Sequence, residues 1–193
     1  MHLPAFSSRR LRGAAAMVCA AALVPVTALV ATASAGAAAA AGTPSCKTSG
    51  LVVWLDTKGN GSAGGTYYNL EFTNVSGHAC TLRGYPGVSA VNLAGQRLGS
   101  AASRNNAHTP VVVTLASGTT ANMAGTLATV VLKITDAGVY PPSTCSPVTA
   151  AGLRVYPPGQ TASKLIPFPF RACSQAGPLI LHVEAVQKGI YPG

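Results

Sequence analysis

The stretch Asn69–Val88, NLEFTNVSGHACTLRGYPGV, decides the fold. Asn74-Val75-Ser76-Gly77 is turn chemistry, because Asn and Ser side chains bond back to nearby backbone and glycine takes positive φ without steric cost. On either side, Leu70 and Phe72, then Cys80 and Leu82, alternate with more polar residues, as a half-buried strand requires. The pattern predicts a β-hairpin across the turn, ended by a Tyr85-Pro86-Gly87 corner. Glu71 sits between Leu70 and Phe72, so it is expected to face solvent as a surface charge.

Working outward, the same grammar recurs. Leu51 to Thr57, Thr66 to Asn74, Ala79 to Arg83, Val88 to Leu93 and Val111 to Leu115 are rich in Val, Leu, Ile and Thr and end in turn formers. So are Thr119 to Lys133, Leu153 to Tyr156, Lys164 to Phe168 and Leu179 to Gln187. That makes about nine strands and no convincing helix, in a length suited to one domain. The expected fold is all-β, an antiparallel immunoglobulin-like β-sandwich. It is not a true immunoglobulin domain, since His78 stands two residues before Cys80 where a tyrosine corner needs Tyr. Trp54, in the first strand, is expected in the core.

The first 35 residues read as an export signal. Arg9, Arg10 and Arg12 precede an apolar run from Ala14 to Val30, broken at Pro25, and Ala33-Ser34-Ala35 fits the small-residue cleavage rule. Cys19 leaves with that signal. Residues 36–45, GAAAAAGTPS, are an Ala-rich lead without a face to bury, expected to be disordered, and the domain is expected to span 46–193. The resulting address is secreted or extracellular, with no stable membrane anchor after cleavage.

Of the 193 residues, 158 remain after cleavage, with ten basic side chains against four acidic ones, a net charge of +6. The basic residues are dispersed, which shows no nucleic-acid footprint and reads first as solubility, the alternative being weak attraction to an anionic wall or membrane surface. Four cysteines stay: Cys46, Cys80, Cys145 and Cys173. An even count in an exported domain implies disulfides, with three possible connectivities. Pairing sequence neighbours, Cys46 with Cys80 and Cys145 with Cys173, asks least of the topology. Each bridge would close a loop of about 30 residues and stabilise by roughly 3 to 4 kcal/mol. The spacings are too wide for a zinc site or a redox C-x-x-C pair.

The pattern Asn74-x-Ser76-Gly77-x-x-Cys80-x-Leu82-x-Gly84-Tyr85-Pro86-Gly87-Val88 is followed by Gly95, Leu115, Gly118, Cys145 and Tyr156-Pro157-Pro158-Gly159. Together these resemble the domain of unknown function 4232 family of exported and surface-anchored actinobacterial proteins. The resemblance covers almost all of the mature chain and implies a β-sandwich outside the cytoplasm. It implies no activity and no catalytic residue. Many relatives carry a lipidation cysteine, which this chain lacks.

Functional chemistry is sparse. After cleavage only four acids (Asp56, Glu71, Asp136, Glu184) and three histidines (His78, His108, His182) remain. His182 and Glu184 share a strand face and are the best acid–base pair, but the sequence places no nucleophile beside them. The histidines lack metal-ligand spacing, and no phosphate loop or nucleophile elbow is present. The expectation is a non-enzyme with no catalytic residue, no metal and no cofactor. Its partner is expected to be a cell-wall glycan or another exported protein.

Four of the six tyrosines precede proline, and Phe168 does too. The simpler reading is that proline ends each strand while the ring covers the core edge. The sharper one gathers Tyr85, Tyr140, Tyr156, Phe168 and Tyr191 as a binding platform at one end of the sandwich. An alternative function is a secreted protease inhibitor that presents the Pro-rich loop from Val139 to Pro147, braced at Cys145.

Overall fold

The computed structural model describes residues 42–118 and 125–189. The export signal, Cys19, most of the Ala-rich lead and Tyr191 lie outside the described residues, as does the start of the strand expected from Thr119. In chain order the elements are β1 (Leu51–Ser62), β2 (Gly65–Asn74), β3 (Cys80–Arg83), β4 (Gly87–Val91), β5 (Arg97–Leu98), β6 (Ser103–Arg104), β7 (Val112–Leu115) and β8 (Leu127–Thr135). After them come α1 (Pro142–Cys145), β9 (Pro147–Tyr156), β10 (Lys164–Cys173), β11 (Leu181–Val183) and β12 (Gln187–Lys188). The backbone joins the fold two residues before Cys46, because Pro44 O accepts from Thr81 N at 2.8 Å and Ser45 bridges Thr81.

Three sheets build the domain. A six-stranded sheet runs β1-β2-β8-β11-β6 with β12 also against β8, a four-stranded sheet runs β10-β9-β4-β5, and β3 pairs with β7. All the ladders are antiparallel except β11–β6, which is parallel. One continuous core joins Leu70, Phe72, Val130 and Leu132 of the large sheet to Val88, Ala90, Leu153 and Val155 of the smaller one. Each of these side chains except Ala90 contributes about 1.5 to 3 kcal/mol by leaving water. The sandwich expectation therefore holds, with extra short strands such as β5 and β6 that carry too few apolar residues to be read from sequence. One helical turn, α1, is also present.

The disulfides are Cys46–Cys80 and Cys145–Cys173, the sequence-neighbour pairing. The first secures the chain's entry to β3, and the second ties α1 to the end of β10.

The deciding stretch corrects one expectation. Its turn is present, with Gly77 at φ +76°, but it does not close a hairpin. β2 pairs with β1 and β8, whereas β3 pairs with β7 in register Cys80↔Leu115. The turn is an arch that carries the chain from one sheet to another, and Asn74, wholly buried, is its keystone. Its Oδ1 accepts from Ser76 N at 3.0 Å and Ser76 Oγ at 2.7 Å, while Nδ2 donates to His78 O at 2.8 Å and Ala116 O at 2.9 Å. Local turn chemistry specifies a reversal but not the partner strand, so the hairpin was the wrong completion of a correct turn.

Candidate functional site

The inner face of the large sheet is core, so chemistry is available on its outer face. Residues paired in register across a sheet share a face. One row therefore runs Trp54, Glu71, Thr129, Gln187 across β1, β2, β8 and β12. Four residues further along β2, a second row runs Tyr67, Lys133, His182, Ser103 across β2, β8, β11 and β6. Alternation then places Glu184 and Asn105 beside the second row.

Tyr67, Asn105, Val131, Lys133, His182 and Glu184 line a groove of about 190 Å³ there. His182 Nδ1 and Ser103 Oγ share a hydrogen bond at 2.7 Å. Glu184 Oε1 accepts from Asn105 Nδ2 at 3.2 Å, and its Oε2 lies 3.5 Å from His108 Nε2. Lys133 Nζ stands 5.4 Å from the centre of the Tyr67 ring, within cation–π reach. His182 and Glu184 share the face as expected, yet each is held by a different partner, and no hydrogen bond joins them among the described residues. The structure also brings a hydroxyl, Ser103, to His182, a neighbour the sequence could not supply because β6 is two polar residues long.

Two first-row residues overturn expectations. Trp54 is 43% exposed rather than core, because it lies on an edge strand, on the face opposite the buried Leu51 and Leu55. Glu71 faces away from Leu70 and Phe72 as alternation requires, but it is 2% exposed and is no surface charge. Its Oε2 is buried, with no hydrogen-bond partner among the described residues. Burial, and secondarily the nearby Asp56 carboxylate, raise its pKa above the usual 4.5.

Among the described residues the aromatic–proline corners lie at different places in the fold. Tyr85 precedes Gly87, which pairs with Tyr156, so these two share one end of the smaller sheet. Tyr85 OH donates to Asn106 Oδ1 at 2.9 Å, and Arg104 lies over its ring. Tyr140 lies just before α1, beyond the opposite end of β9, and donates to Leu179 O at 3.2 Å. Phe168 sits mid-strand in β10, its ring centre 5.1 Å from that of Tyr68. Pro86 and Pro157 are buried. Tyr85, Tyr140 and Phe168 are partly buried against the core.

The segment expected to serve as an inhibitory loop is exposed at Val139 and from Pro141 to Thr144. It is folded as a 3₁₀ turn (Ala137–Val139) and then α1, ending at the bridged Cys145. A second cleft, about 460 Å³, opens at the tip of the β1–β2 hairpin. Three glycines line it together with Tyr68, Phe170, Arg171 and Asp136, the last already accepting from Gly138 N.

The family model for Domain of unknown function (DUF4232) matches residues 46–187. The chain belongs to that family. No curated protein and no solved structure matches it. Within the DUF4232 domain, the arch explains part of the pattern seen in the sequence. Asn74, Ser76 and Gly77 build the turn, and a Cβ on Gly118 would stand 2.4 Å from Asn74 O.

Among the described residues no three His, Cys, Asp or Glu side chains group as a metal site. No helix there is long and apolar enough to cross a membrane.

Proposed function

We propose that this chain is a non-catalytic, extracytoplasmic binding module that takes a cell-envelope glycan on the outer face of its six-stranded sheet. The observation that carries the reading is the exposure of Trp54 and Tyr67 on that open face, beside a groove with hydrogen-bonding side chains. Aromatic rings on a rigid sheet offer apolar area at little entropic cost, and neighbouring polar groups fix orientation. Two buried disulfides suit an oxidising compartment, and the basic dispersed surface favours approach to an anionic envelope. The inhibitor alternative has the exposed, disulfide-braced Val139–Pro147 segment in its favour. Against it, that segment is helical at α1, not an extended strand that could add to an enzyme's sheet.

The test is retention of the purified, oxidised chain on isolated cell wall at low and high salt, for the natural chain and for Trp54→Ala and Tyr67→Ala. Salt-resistant retention that both substitutions abolish is the expected result. Retention unchanged in both variants, or lost entirely with salt in the natural chain, overturns it.

A further inference from the structure

Resting on that binding reading, the groove's charges go further and name a ligand class. Glu184 already has partners within the site: Asn105 Nδ2 donates to one oxygen, and His108 Nε2 lies 3.5 Å from the other. His182 has Nδ1 engaged with Ser103. Lys133 differs. It stands at the centre of the second row with its ammonium over the Tyr67 ring, and no carboxylate pairs with it among the described residues. The groove thus holds a carboxylate engaged by Asn105 and His108, and an ammonium that among the described residues has a ring face beside it and no ion pair, the stronger of the two interactions. A neutral ligand would leave that ammonium without an anion as it displaced water; an anionic one would complete it.

We infer that the groove takes a saccharide carrying an anionic substituent, a carboxylate or a phosphate, with Lys133 reading the charge and Tyr67 the ring. Asn105 and His182 line the same groove and can hydrogen-bond ring hydroxyls. The volume admits a single ring with its substituents, and Trp54 provides a further stacking surface along the face. Four residues of β2 separate the two rows, about 13 Å, a distance an oligosaccharide spans.

The experiment measures affinity of the oxidised chain for three probes: an oligogalacturonate, a phosphomannan and neutral dextran. It compares the natural chain with Lys133→Gln, Lys133→Arg and Arg97→Gln, the last removing one charge from β5 in the other sheet. An anionic probe is expected to bind at least about tenfold more tightly than dextran, with that preference lost in Lys133→Gln and kept in Lys133→Arg and Arg97→Gln. Binding of only the carboxylate probe, or only the phosphate probe, supports the inference and names the source. Equal binding of dextran and the anionic probes overturns the inference while the glycan-binding reading stands. Equal losses in Lys133→Gln and Arg97→Gln overturn it in favour of diffuse charge. Failure of all three probes overturns it too, and the wall-retention assay then decides the broader reading.

Discussion

Asn74 and Glu71 lie three residues apart on β2, and both are buried polar side chains. At Asn74 every polar atom is used, and its partners come from the turn itself and from Leu115–Ala116, some 40 residues away. At Glu71 one carboxylate oxygen has no partner among the described residues, its register neighbours Trp54 and Thr129 included. The arch is built to hold the sandwich together, and the outer face tolerates a cost that the arch does not. A buried group that is fully bonded specifies structure, whereas an unpartnered one lowers stability and needs another reason to persist.

The largest effect should come from breaking the satisfied side. Asn74→Ala strands the Ala116 carbonyl and the Ser76 amide and removes one of two donors to His78 O, and should cost about 3 kcal/mol by denaturant titration. A loss below about 1 kcal/mol would show that water replaces the amide and that the arch is no keystone. Gly118→Ala attacks the same place from the other strand, because its methyl would press on Asn74 O, and should cost about 2 to 3 kcal/mol.

The unsatisfied side should respond with the opposite sign. Glu71→Gln keeps the shape and removes the buried charge, so it should stabilise by on the order of 1 kcal/mol at neutral pH. The same logic fixes the pH dependence. Because folding raises the Glu71 pKa, the folded state holds a proton that the unfolded state has released. Stability from this group is therefore greatest below about 4.5, falls as pH rises from there through the raised folded value, and is flat above it. Thermal melts across that window should show the slope in the natural chain and a reduced slope in Glu71→Gln; equal slopes would remove Glu71 as the cause. The smallest change is Ser76→Ala, which loses the hydroxyl's bonds to Asn74 Oδ1 and His78 O and should cost about 1 kcal/mol.

The same two residues show how far the sequence could be read. Alternation placed Glu71 opposite Leu70 and Phe72, which is correct, but whether that second face is covered depends on strands far away in the chain. Turn chemistry located the Asn74 arch, yet its key bond to Ala116 crosses 42 residues and leaves no local mark. Cysteine pairing was legible because the bridges join sequence neighbours. His182 and Glu184 were placed on one face by their spacing of two. Ser103 and Asn105 were not found, since a two-residue strand has no apolar period. Tyr67 and Lys133 did carry a signal, as polar or amphipathic outward positions in otherwise apolar strands, but only the register of β2 against β8 sets them side by side.

The Cys46–Cys80 bridge has a mechanical consequence. A pull on the stretch that precedes residue 46 reaches β3 through a covalent link, not through hydrogen bonds alone. All of β1 and β2 lie inside that closed loop, whose 34-residue separation would otherwise yield on the order of 120 Å of slack. Under load applied there, the oxidised domain cannot lengthen by unravelling its first hairpin, so the Trp54 and Tyr67 strands keep their contour while the tether is taut.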